Sequence, residues 1–173
     1  MRRSASFLAV LTAACAGADR EQPQPPVPSF EAVTDMLGSS EACAGKVIVR
    51  ERTAEQPARA SCVTGSPTTI QAVIDEDMAT GDVSAIRITW NQRIAPGAEG
   101  NGADFLQAVE LVERTAALAA PDASGPIIAS FFQEHQTAHA EPTLGLLIST
   151  TVTPGAGSIA HVLHAKTVHA NEG

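Results

Sequence analysis

The sequence predicts an α+β protein: an antiparallel sheet of about six strands, packed by two long helices plus a short N-terminal helix. Three observations lead there. The periodic segments run helix, four strands, two helices, two strands. The strands that follow one another are separated by hairpin-length connections, and the strand–helix–strand alternation that builds a parallel sheet is missing.

The short helix comes first. Ser29 is placed to cap it, Phe30, Val33, Met36 and Leu37 fall on one helical face, and Gly38 supplies a stop. Lys46 to Arg52 and Arg59 to Thr64 then read as strands around a loop holding Pro57, a hairpin that sets Cys62 opposite about Arg50. In Thr69 to Asp75, Ile70, Ala72 and Ile74 alternate with Gln71 and Asp75. In Val83 to Trp90, Ile86, Ile88 and Trp90 alternate with Arg87 and Thr89. Period two marks a sheet with one buried face. Gly81-Asp82 forms the turn between these strands, and Arg93 to Gly102, with Pro96, Gly97 and Gly100, is a loop.

Two helices follow. Phe105, Val109, Val112 and Ala116 make one stripe that Pro121 ends, and Ile128, Phe131, Phe132, His135 and His139 make another that starts at Pro126. Thr143 to Thr153 and Ser158 to His169 close the chain as a hairpin around Pro154-Gly155-Ala156-Gly157.

Residues 29–173 read as a single domain, behind an export signal over 1–18 and a Pro-rich linker over 19–28. Arg2 and Arg3 precede the apolar run Phe7 to Cys15, which is shorter than the roughly 20 residues of a membrane-spanning helix. Leu11-Thr12-Ala13-Ala14-Cys15 resembles the lipobox of bacterial lipoproteins, although Thr12 stands where that family usually carries Leu, Val or Ile. The resemblance implies lipidation of Cys15 and a membrane anchor. Ala16-Gly17-Ala18 is an alternative small-x-small site that releases a soluble chain from Asp19. The expected location is therefore the periplasm or a lipid anchor on the membrane, with secretion as the alternative. Prolines 23, 25, 26 and 28 hold the linker extended.

Export bears on the cysteines and on charge. Whether Cys15 is lipidated or discarded, Cys43 and Cys62 remain as a pair in an oxidising compartment, and a disulfide is expected between them. Without Arg2 and Arg3, 9 basic residues face 19 acidic ones, a net charge of −10. Such a balance, with Lys46, Arg50 and Arg52 as the densest basic group, argues against nucleic acid as a partner. With no Tyr and a single Trp, there is no aromatic platform for sugars or bases.

Catalytic signatures are equally sparse. His135 and His139 stand at i and i+4, a spacing that on a helix suits zinc or copper, and His161 on the last strand is a candidate third ligand. The segment departs from the zincin H-E-x-x-H box because Gln136 replaces the general-base Glu. Asp75, Glu76, Asp77 and Asp82 surround a turn without the EF-hand order. No G-x-S-x-G elbow occurs, and G-A-E-G-N-G over 97–102 lacks a phosphate-loop ending.

The function expected from sequence is that of an exported cell-envelope protein, a non-catalytic binding or accessory domain with a protein partner. A periplasmic metal-binding protein using His135 and His139 is the first alternative, and an unrecognised hydrolase the second. Intact mass of the mature protein extracted from membranes is expected to start at Cys15 and to include acyl chains; a mass starting at Asp19 selects the soluble form.

Overall fold

The computed structural model describes residues 27–64, 69–93, 101–133, 137–141 and 146–167. The expected α+β class is what forms. In chain order the elements are α1 (Phe30–Ser39), β1 (Ile48–Arg50), β2 (Arg59–Thr64), β3 (Thr69–Glu76), β4 (Val83–Arg93), α2 (Asn101–Ala119), α3 (Ser124–Phe132), β5 (Thr137–Glu141), β6 (Leu146–Gly155) and β7 (Ser158–Thr167). The sheet is antiparallel at every junction and has seven strands in the order β1-β2-β3-β4-β7-β6-β5.

All three helices cover the same face. Val33 and Leu37 of α1, Leu111 and Val112 of α2, and Ile127 and Phe131 of α3 join one buried cluster with Ile74, Ile88, Leu163 and Ile148 of the strands. The alternation in β3 and β4 has the face expected of it: Ile70, Ala72, Ile74, Ile86, Ile88 and Trp90 are buried. In α2 the buried stripe is Ala108, Leu111, Val112, Thr115 and Ala116, rotated from the expected one, so that Phe105 remains 40% exposed.

The N-terminal helix starts as predicted, with Ser29 Oγ accepting the Ala32 N–H at 3.2 Å. Gly38 does not stop it. The helix continues through Gly38 to Ser39, and Ser40 donates its backbone N–H and its hydroxyl to the Leu37 carbonyl. Beyond that turn Cys43 is paired in a disulfide with Cys62 on the inner side of β2, their Cα atoms 5.8 Å apart. The bond ties the exit of α1 to the sheet. The expected register is off, however: Arg50 lies opposite Arg59, and Cys62 lies beyond the paired residues of β1.

Strand β1 is three residues long where seven were expected. Arg52 accounts for the early ending. Its Nε donates to Glu76 Oε2 at 2.8 Å, a second nitrogen donates to Oε1, and the Ala58 N–H adds a 2.9 Å bond to Oε2. Arg52 therefore leaves the ladder to meet a carboxylate only 9% exposed at the end of β3. That hydrogen bonding holds the Glu76 carboxyl below the usual carboxylate range, overriding the opposite push of burial. Asp77 builds the following turn by accepting the Ala79 N–H at 2.7 Å, and Gly81 takes φ +81°, which favours glycine.

The largest departure lies after α3. That helix was expected to run through His139 but ends at Phe132, with Gln133 already extended at ψ 148°. His161 Nδ1 donates to the Phe131 carbonyl at 2.8 Å, satisfying a group that one more helical turn would have used. The free edge of β6 then takes residues 137–141 as β5, so the chain gains a strand and its second long helix shrinks to nine residues. The closing hairpin forms with a tighter turn than the expected Pro154 to Gly157: Pro154 and Gly155 pair within β6, leaving Ala156-Gly157 as the turn, with Gly157 at φ +81°.

Replacing both Cys43 and Cys62 with Ala should cost about 3 kcal/mol of unfolding free energy by the loop-entropy argument. Urea unfolding of the variant and of the reduced wild type checks this. A loss below about 1 kcal/mol would mean that the apolar contacts of α1 hold it without the bond.

Candidate functional site: the open face of the sheet

Among the described residues, the helices leave one whole face of the sheet uncovered. The outward positions of β2, β3, β4, β6 and β7, such as Val63, Val73, Arg87, Ser149 and Lys166, are exposed or half-buried, never buried. Strand pairing sorts these side chains into transverse rows. One row runs Ile48, Ser61, Val73, Arg87, His164, Ser149, and the next runs Arg50, Arg59, Asp75, Ala85, Lys166, Leu147. Directly opposed residues in such rows have Cβ atoms about 5 Å apart. Arg93, opposite Ser158, lies on the same face toward the far end of β4.

These rows concentrate positive charge. Of the eight Lys and Arg side chains among the described residues, five (Arg50, Arg59, Arg87, Arg93 and Lys166) sit on outward strand positions of this face, where Asp75 is the sole acidic residue. The whole chain carries −8. The face thus opposes the rest of the molecule in sign, and it also bears Ile48, Val63 and Leu147, which are 71%, 56% and 43% exposed.

Within the face lies a hollow of about 250 Å³. Small Ala85 and Val73 form its floor, and Arg59, Gln71, Asp75, Arg87, Thr89 and His164 rise around it. The ladder irregularity between Asp75 and Glu76 lies beside it, and a bulge there increases the local twist. Arg59 Nε and Asp75 Oδ1 pair at 2.5 Å, so these two charges offset each other. Arg87 makes no ion pair or hydrogen bond among the described residues. Burial lowers the affinity of the His164 imidazole for a proton, and Arg87 and then Lys166 lower it further by charge repulsion.

Two of the three predicted metal ligands, His139 and His161, lie in strands of the described sheet. His139 is on β5 opposite Ile148, while His161 is on β7 opposite Val152. Two strand spacings and four residues along the sheet put their Cα atoms about 16 Å apart. His135 lies outside the described residues, as do Cys15 and the expected signal. His161 is 3% exposed and already engaged, with Nδ1 on the Phe131 carbonyl, Nε2 3.2 Å from the Gln92 side-chain amide and its ring stacked on Trp90. Among the described residues no three His, Cys, Asp or Glu side chains stand close enough to share a metal ion.

Sequence reasoning missed the basic face because its members are scattered over four strands. The signal was present in part: Arg87 sits between the apolar inward positions Ile86 and Ile88, and Lys166 follows buried Ala165. Only the register turns these separate outward residues into neighbours.

The His164 Cε1–H resonance, followed by NMR against pH, should titrate with a midpoint below the ordinary histidine value of about 6.5. Changing Arg87 and Lys166 together to Gln should move the midpoint up without fully restoring it, because burial is the larger cause. A histidine depressed in the fold disfavours folding as it protonates, so stability should decline as pH falls through and below about 6.5, and His164→Gln should remove that component.

In the comparisons with known proteins the chain matches no family model, no curated protein and no solved structure.

Proposed function

We propose that this is an exported, non-catalytic cell-envelope protein, held at the membrane through Cys15, whose open sheet face docks an acidic protein partner. One observation supports the reading: among the described residues, five basic side chains stand against one carboxylate on a single sheet face that no helix covers, in a strongly acidic chain. Such opposition of sign steers encounter with an acidic surface and disfavours approach of a second basic one.

The composition of the face favours a protein as the occupant. Four of its five cations are Arg, which stacks, binds carboxylates in two-pronged fashion and is enriched at protein interfaces, whereas Lys is depleted there. Exposed Ile48, Val63 and Leu147 add apolar contact area. A polyanionic chain calls for denser cations with no carboxylate among them, but Asp75 stands inside this patch. The dimensions also suit protein docking: seven strands with spacings of about 4.8 Å and central strands of at least eight residues give about 750 Å², close to one partner's share of a standard interface. Two copies placed face to face would oppose five cations with five, which disfavours self-association through this surface.

The metal-binding and hydrolytic alternatives gain no comparable support. His161 is committed to packing, and the hollow holds no nucleophile paired with a base.

Crosslinking in intact envelopes, followed by identification of the captured protein, tests the reading. Wild-type protein should capture a defined partner through an acidic patch, and the double reversal Arg50→Glu with Lys166→Glu should abolish the capture while leaving the fold intact. Raising salt should weaken it as well. A clean monomer, a crosslink between two copies, or capture undiminished by the reversal would each overturn the proposal.

A further inference from the structure

The hollow on the open face has features that the face as a whole does not need. It is a defined concavity of about 250 Å³, and most of the side chains around it are polar. That is smaller than the roughly 300–1,000 Å³ of pockets for drug-sized ligands, and it suits one side-chain-sized group with a few waters. Its charges also add up in a particular way. Arg59 and Asp75 cancel through their 2.5 Å contact, leaving Arg87 as the uncompensated cation.

We infer that this hollow is a binding site for a single carboxylate, presented by an Asp or Glu side chain of the partner and held by Arg87 with Thr89 and Gln71 beside it. The inference rests on the docking reading above and names the chemistry at the centre of that face. A guanidinium offers two parallel N–H donors that match the two oxygens of a carboxylate, and charge-assisted pairs of this kind are about twice as strong as neutral hydrogen bonds. Thr89 Oγ1 and the Gln71 amide supply further donors from the adjoining row.

A monoanion fits better than a dianion. The net charge offered is one, and the Asp75 carboxylate in the wall adds repulsion against a second negative charge. His164 faces the hollow from β7. The other charged groups near it are Arg87 from β4, Lys166 on its own strand, and the Arg59–Asp75 pair from β2 and β3; the side chain facing it from β6 is the uncharged Ser149. An anion bound beside the imidazole favours its charged form, so protonation of His164 and anion binding must strengthen each other.

The test uses the mature full-length protein and three probes, sodium acetate, inorganic phosphate and sodium chloride, at matched ionic strength. Acetate should shift the amide resonances of Arg87 and Thr89 in a saturable manner and raise the His164 titration midpoint. Arg87→Gln, a change at an exposed side chain, should weaken the acetate response about tenfold or more. His164→Gln should keep the response but lose its pH dependence. Equal shifts with chloride, an unaltered response in Arg87→Gln, or tighter binding of phosphate than of acetate would overturn the inference. The crosslinking reversal leaves Arg87 untouched, so the two ideas fail separately: partner capture without an acetate response removes the carboxylate site alone, and an acetate response without a partner removes the docking reading alone.

Discussion

The antiparallel pairing of β4 with β7 joins two units that would otherwise be separate. Strands β1 to β4 form one meander and β5 to β7 another, and the segment between them carries α2 and α3 across the inner face. Nine consecutive pairs, from Ala85–Lys166 to Arg93–Ser158, make the seam. The core depends on it, because Ile88 lies opposite Leu163 and Trp90 opposite His161 beneath the helices. So does the open face, since Arg87 and His164 become neighbours only through this pairing. Contacts so distant in sequence cost loop-closure entropy before they return any stabilisation.

Local devices reduce what the seam must hold. The disulfide secures the exit of α1 against β2, and Arg52 secures the β1–β2 connection through Glu76, both within the first meander. In the second, the buried hydroxyls of Ser130 and Thr150 hydrogen-bond, and His161 engages the last turn of α3. The aromatic group around Trp90, with Phe105 and Phe132 at 5.7 Å, packs the start of α2 and the end of α3 against the seam. The indole Nε1 of Trp90 is buried there without a hydrogen-bond partner among the described residues, a desolvation cost that the packing must exceed.

Much of this was legible in the residues themselves. Strict alternation at Ile70, Ala72, Ile74 and at Ile86, Ile88, Trp90 placed two central strands correctly, Ser29 marked the first helix, and export logic paired Cys43 with Cys62. What failed were the places where a distant partner decides. Helix periodicity through Phe131, Phe132, His135 and His139 was continuous on paper, yet the carbonyl taken by His161 and the vacant edge of β6 turned the chain into a strand. Lys46 to Arg52 has strand-like residues throughout, but Glu76 draws Arg52 out of the ladder. The hollow was invisible for a related reason: its walls come from four strands whose register no local pattern specifies.

The sheet's two margins differ from its centre in a way that bears on how the protein behaves when crowded. The outermost strands are its shortest, three residues in β1 and five in β5, and beside β1 the Arg50 guanidinium reaches over the connecting loop to the Pro57 carbonyl. Brief, charged margins offer few unpaired backbone groups in register, so another chain finds little to extend. A molecule with one face left bare would otherwise be a template for fibrils growing sideways, strand upon strand. Here that direction of growth is blunted, and the broader exposed surface is the flat of the sheet, which presents side chains and not open backbone groups.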